Sequence, residues 1–472
     1  MPTAQLKIDS AALASDEVPL AARIGREVVR VSLDELPAEV TDKVKLCLID
    51  LIGCAFEARD LPWSRQAVQL ATPVGADGAT VIGSPQAATL PDAAFANAVM
   101  GHGLVREDMH SGSISHLGIV VLPTLLALAQ SRRVSGRDFI AAAVVGYEVG
   151  GQIGRAVMDA QVARIFRPTG VTGPAGAAAA GARLLGLSAD AATSAVALGA
   201  NTTAGFNQWA HTGGSEMFFH AGFAARNAVT AVRLAELGAF ASPSALDGEA
   251  GLFAALGKQA AGSKVALFKA APEILSVYHK PVPACNFAQT ACQAALRIAR
   301  ENQAAPERIA AIAIRVPRAG ALYPGCDYRG PFAHILQAKM SIQYNVAAAL
   351  MLGAVSEKNF TLLTDPALQR LLTVTSLHVD DQMTQAYPGK QGGEVEVREV
   401  GGATHRVRLE DVVNATAPDV RQRFRAAAES VVGAQRASAI EECIDGLERS
   451  DDAGQLAALL GAQIDSSMPS RR

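Results

Sequence analysis

The chain has 472 residues, more than one hydrophobic core normally serves, so at least two domains are expected. Half of it is apolar and only 5% aromatic, a mixture that favours packed helices over a large sheet. Forty-two basic residues, scattered along the chain, face forty-five acidic ones for a net charge of −3, which argues against nucleic acid as a partner.

No membrane span is expected, because the longest mainly apolar runs, such as Leu117 to Ala129, fall short of the roughly 20 residues one needs. The first residues, MPTAQLKIDS, hold one Lys and no apolar leader core, so the expected location is the cytoplasm. From Pro37 to Phe56, apolar residues at three- and four-residue steps (Val40, Val44, Leu48, Leu51, Ile52) predict an amphipathic helix. Similar patterns predict helices near 91–102, 120–131, 136–158, 171–185, 188–204, 218–238 and 284–301. The glycine-rich pieces GYEVGGQIG and GAAAAGARLLG lie within helical patterns and lack the preceding strand of a dinucleotide fingerprint, so close helix packing is expected there.

The texture changes at KPVP, Lys280 to Pro283, since two prolines cannot sit inside one helix. Near-alternation predicts strands at Arg308 to Val316, at Ser376 to Val379, and at Glu394 to Val400 and Thr404 to Leu409, the last two as a hairpin around Gly401-Gly402. Helical spacing resumes from Pro418 with Val420, Phe424, Ala427 and Val431. The expected fold is mainly α, with helices over 1–277, a smaller α+β unit over 278–415, and tail helices over 416–472 that pack back on the first part. Six cysteines (Cys47, Cys54, Cys285, Cys292, Cys326 and Cys443) form no CxxC pair and are expected to be reduced.

The stretch from Asn97 to Pro123 gathers His102, Glu107, Asp108, His110 and His116 in Gly- and Ser-broken sequence between two apolar helices. Imidazoles beside carboxylates supply groups that titrate near neutrality and partners to orient them, as proton transfer requires. A second segment offers His211, Glu216 and His220 where a glycine turn enters a helix, whose free N–H groups suit a carboxylate. A third puts Lys280 and Cys285 at the expected domain junction, where clefts form.

In the same order along the chain, GATVIGSPQAATLPDAAFANAVMGHG, HLGIVVLPTLLALA, SGRDFIAAAVVGYEV, FRPTGVTGPAGAAAAGARLLGLS, FHAGFAARNAV and KPVPAC resemble the MmgE/PrpD family of 2-methylcitrate dehydratases, cis-aconitate decarboxylases and iminodisuccinate epimerases. The resemblance implies a homodimer with a large helical domain and a smaller lid, an active site between them, and no metal or organic cofactor. It places Glu107, Asp108 and His116 on acidic positions and a histidine of the family site, Lys280 on its KPYP-like lysine, Cys285 on the following Cys or His, and Tyr323 near an active-site tyrosine. Departures are Val105 for an Asp, Met109 within the same stretch, Arg167 for the histidine of FHPT, and Met217 for a lysine, while His220 and Gly222 remain.

These groups together suit removal of a proton next to a carboxylate, with Lys280 and Arg167 as fixed cations for the enolate. His116, oriented by Asp108 or Glu107, is the first choice of acid or base; His110 and His220 follow, and His102, Arg167, His220, Cys285 and Tyr323 are expected to bind substrate. A dehydratase-type lyase acting on a small di- or tricarboxylic acid leads. An epimerase or isomerase, a decarboxylase, and a non-catalytic dimeric binding protein are the alternatives.

Overall fold

Alanine- and leucine-rich stretches with short Gly and Pro punctuation fold as helices that pack on their sequence neighbours. The computed structural model describes residues 18–75, 77–269, 271–302 and 305–462, so the N-terminal stretch read above as free of a leader lies outside the described residues. The fold is mainly α, with a smaller α+β portion. Every helix expected from spacing is present, with ends shifted by a few residues: Glu39–Ala58, Leu90–His102, Gly118–Leu128, Gly136–Val157, Pro168–Leu184, Ala189–Asn201, Glu216–Glu236 and Gln289–Asn302. Spacing left unread the helices Leu20–Val28, Pro62–Leu70 and Ile342–Leu352 and several one- and two-turn helices between residues 318 and 386.

Pro168–Leu184 lies at the centre of the helical part. It packs on Gly136–Val157, Ala189–Asn201, Glu216–Glu236 and Gly118–Leu128. Its contact with Gly136–Val157 runs through the two glycine-rich pieces: a Cβ on Gly176 would stand 2.7 Å from the Gly146 carbonyl oxygen and 3.0 Å from the Gly150 backbone. Glycine here buys close approach of two backbones, the role expected from the sequence. The tail helix Ala417–Val432 packs on Glu39–Ala58.

The strands read from alternation form a four-stranded sheet in the order Thr375–Val379, Ile309–Val316, Gly393–Glu399, Thr404–Leu409. The first pair is parallel and the others antiparallel, with Glu394 opposite Arg408 and Val397 opposite His405 in the hairpin. Helix Gln289–Asn302 covers the sheet on the side of Gly393–Glu399 and Thr404–Leu409. A two-stranded ribbon joins Met109–His110 to Val277–Tyr278, tying the histidine-rich loop to the segment that leads into KPVP. No helix of the described residues is long and apolar enough to cross a membrane.

Because a methyl group at Gly176 would meet backbone and not a yielding side chain, Gly176→Ala is expected to destabilise by about 1–3 kcal/mol. Gly75, with nothing within 4 Å of its would-be Cβ, serves as the control. Thermal or urea unfolding should show a lowered midpoint for Gly176→Ala and none for Gly75→Ala.

Candidate active site

The loop between two buried helices brings residues far apart in sequence to one point. Thr89 caps Leu90–His102, accepting from the Asp92 amide, and the helix ends at Gly103 with His102 in its last turn. The chain then turns at Val105, whose φ of 58° is left-handed, and pairs with the ribbon at Met109 and His110. A tight return follows, in which His110 and Ser115 exchange backbone hydrogen bonds and Ile114 takes a φ of 52°. β-Branched residues seldom adopt this conformation. Both of these, Val105 and Ile114, line the same small cavity.

The return places His116 beside Glu107. Glu107 Oε1 lies 2.5 Å from His102 Nδ1 and 2.9 Å from His116 Nδ1, and all three side chains are buried. Arg167 Nη2 donates to His102 Nε2 at 3.1 Å, which makes that nitrogen the acceptor and puts the His102 proton on Nδ1, toward Glu107. His116 Nδ1 faces two acceptors, Glu107 Oε1 and the Asp108 carbonyl at 3.1 Å, so it too carries the proton. Nε2 of His116 has no protein partner among the described residues. The His116 amide donates to Thr169 Oγ1 at 3.1 Å, fixing the ring's origin.

Burial keeps both imidazoles neutral. His116 is driven down to about 3 by desolvation, which outweighs the opposing pull of Glu107, and His102 is lowered by burial in the same way. Burial alone would raise Glu107, but the two histidines outweigh it and hold the carboxylate well below its usual range. One ligand atom each from His102, Glu107 and His116 lie within 4.8 Å of one another, a set that could hold a cation. Their 2.5 and 2.9 Å spacings are those of direct hydrogen bonds, whereas ligands on a tetrahedral ion stand about 3.3 Å apart. With the Arg167 guanidinium on His102 as well, the cluster fits shared protons better than a metal.

The cavity beside His116 is walled by Val105, Met109, Ile114, Arg167, Met217, Cys285, Asn286, Phe287, Tyr323 and Met340. Its volume of about 20 Å³ holds about one water. Arg167 begins helix Pro168–Leu184, held by its amide's bond to the Gly205 carbonyl, and its Nη1 donates to the Tyr323 hydroxyl at 3.3 Å. Its Nη2 also lies 3.6 Å from Met217 Sδ. Cys285 Sγ is 3.4 Å from Cys326 Sγ; burial pushes the Cys285 thiol up, but the Cys326 hydrogen bond and Lys280 more than offset this and lower it. All six cysteines are free.

Lys280 stands one residue back. Its buried ammonium donates to the Val105 carbonyl, and burial lowers it to about 8. Asp108 turns its carboxylate away from the cavity, accepting from the Tyr147 hydroxyl at 2.8 Å beside Gly118, while only its backbone carbonyl reaches His116. His110 is also turned away: Nδ1 accepts from the Ser113 amide at 3.2 Å and Nε2 donates to Glu273 at 2.6 Å, a carboxylate further held by Arg155 and Gln152. His220 is half-buried beside Arg167 and Gly205, lowered to about 4 by burial and Arg167, and its Nδ1 has no hydrogen-bond partner among the described residues. His211 and Glu216 are exposed.

Sequence reasoning did not pick out Tyr147, Thr169 or Lys339. Lys339 is fully buried, with its ammonium on the Leu104 and Pro283 carbonyls and Glu357, and over the Phe360 ring at 4.3 Å. A lysine inside the apolar run around Met340 and Ile342 was a readable signal; Thr169 and Tyr147 carried none.

Burial raises Asp108 from 3.8 to about 7, so between those values the native chain holds a proton the unfolded chain has released, and stability from this group falls as pH rises through the window. Asp108→Asn removes that dependence, and its melting temperature relative to the parent should climb between pH 4 and pH 7. A flat difference would contradict the burial of an ionisable carboxyl there. His116 runs the other way: its neutral native form gives stability that is present above 6.5 and lost as pH falls toward about 3.

Comparison with known proteins agrees in order and extent. Residues 22–263 match the MmgE/PrpD N-terminal domain and residues 282–449 the MmgE/PrpD C-terminal domain. The cis-aconitate decarboxylase-like protein oryM of Aspergillus oryzae is 28% identical, over 93% of this chain and 96% of its own. The cis-aconitate decarboxylase of Aspergillus terreus is 25% identical over 93% and 95%, and that of Homo sapiens 25% identical over 91% and 92%. With both domain models matched in sequence order along most of its length, this chain belongs to the MmgE/PrpD family.

Proposed function

We propose that the protein is a lyase that draws a proton from carbon next to a carboxylate of a small di- or tricarboxylic acid. The observation that carries this is the state of His116: a neutral ring, its Nδ1–H held by Glu107 and the Asp108 carbonyl, with Nε2 unpartnered in a cavity it shares with Arg167. An imidazole so held accepts a proton at Nε2 while Glu107 stabilises the imidazolium that results. Arg167 supplies the fixed positive charge for a substrate carboxylate and the enolate, and Lys280 adds to it through the Val105 carbonyl. The field of a bound acid raises the basicity of His116 above its value in the empty site.

Tyr323 accepts from Arg167 and so keeps its own proton free for a leaving hydroxide, which makes dehydration the first outcome of the enolate. Decarboxylation is the second reading, favoured by the full-length relatives named for that reaction. Reprotonation on the other face, an epimerisation, uses the same groups. The deep cavity is far smaller than the few hundred Å³ usual for a small-molecule site, so binding moves part of its wall. The reading includes a cytoplasmic location, which six free cysteines favour, and a homodimer. The exposed Leu237 and Phe240 after helix Glu216–Glu236 are apolar surface that a second copy would cover.

Incubation in heavy water with citrate-, malate- and aconitate-like acids, followed by NMR, tests the chemistry. Exchange or turnover should fall about 10²–10⁴-fold in His116→Ala and about 10²–10³-fold in Arg167→Met, with a smaller loss in Lys280→Met. Unchanged exchange in His116→Ala sinks the proposal, and release of carbon dioxide instead of water selects the second reading. Light scattering should give twice the chain mass, lowered toward the monomer by Phe240→Glu.

A further inference from the structure

A second chamber adjoins the deep cavity. It measures about 200 Å³, opens to the surface, and shares Ile114, Phe287 and Tyr323 as walls with the cavity at His116. Met158, Leu322 and Tyr387 supply much of the remaining lining. Phe287 stacks at a tilt between the two tyrosines, with centroids 5.3 Å from Tyr323 and 5.8 Å from Tyr387. The chamber's lining contains no cation. Among the described residues the one charged side chain lining it is Asp159, which caps helix Ala160–Ile165 and pairs with Lys258.

Charge is thus divided between the two spaces. Arg167 lies in the inner one, with Lys280 behind it; the outer one offers aromatic and aliphatic carbon and a single carboxylate. A carboxylate of the substrate meets no cation in the outer chamber's lining, and Asp159 there is already paired with Lys258, whereas an apolar group sheds water against Phe287, Tyr387 and Leu322. From this juxtaposition we infer that the substrate bears an apolar substituent, an alkyl or aryl chain longer than methyl, lodged in the outer chamber while its carboxylates engage Arg167 in the inner one. This rests on the lyase reading above and adds the substrate class to it.

The test uses the full chain and a series of citrate-, malate- and aconitate-type acids carrying straight alkyl chains from methyl to hexyl. Turnover is followed by NMR and binding by calorimetry. Each methylene that enters the chamber should raise kcat/KM about fourfold, the equivalent of about 0.8 kcal/mol per buried CH₂. Ala160→Phe, which narrows the chamber, should cut the ratio of hexyl to methyl kcat/KM about tenfold. Best turnover of the unsubstituted acids, or a ratio unmoved by Ala160→Phe, overturns the inference and leaves the lyase standing. Binding of long-chain acids without turnover sustains the chamber and overturns the lyase. No binding and no turnover of any acid defeats both.

Discussion

One carboxylate oxygen, Glu107 Oε1, holds two buried imidazoles, and much of the site follows from that. For His102 and His116 to meet it, the chain between them must leave one helix, double back and enter the next within fourteen residues. The return is bought with two β-branched residues in left-handed conformation, Val105 and Ile114, each at a cost on the order of 1–3 kcal/mol. The His110–Ser115 backbone pair and the ribbon to Val277–Tyr278 hold the loop in that shape.

The same ribbon links the chemistry to the second half of the chain. It delivers Lys280 beneath the loop, where the ammonium meets the Val105 carbonyl, while Lys339 takes the neighbouring Leu104 carbonyl. Two buried lysines thus clamp consecutive carbonyls of one turn. Arg423, on the tail helix, donates to the Lys280 carbonyl, so three distant segments share this small region. A buried cation is tolerable only where carbonyls or carboxylates compensate its lost hydration, and each lysine has such partners.

The departures from the family pattern also fall into one corner. Arg167 and Met217, which the sequence resemblance sets where the family pattern has a histidine and a lysine, meet there: the Arg167 guanidinium lies 3.6 Å from the Met217 sulfur and 3.1 Å from His102 Nε2. A single guanidinium, always charged and able to donate in several directions, carries the positive charge of that corner. Its donation to His102 also sets the tautomer through which Glu107 binds both rings, so Arg167 affects proton placement as well as charge.

The helices were legible because apolar spacing is a local property: Val40, Val44, Leu48 and Leu51 describe a buried stripe whatever packs on it. The strands around Ile312 and Val397, and the glycines at Gly146 and Gly176, were legible for the same reason. The concentration of His102, Glu107, Asp108, His110 and His116 in one stretch was legible too, but not the division of labour within it. Asp108 and His110 differ from Glu107 and His116 only in which way the doubled-back loop turns them, toward Tyr147 and Glu273 or toward the cavity. That choice depends on contacts made by helix Gly136–Val157 and by residues beyond 270. It is long-range, so tertiary structure alone decided it, as it decided that Lys280 meets the Val105 carbonyl and that a largely apolar chamber lies beside a charged one.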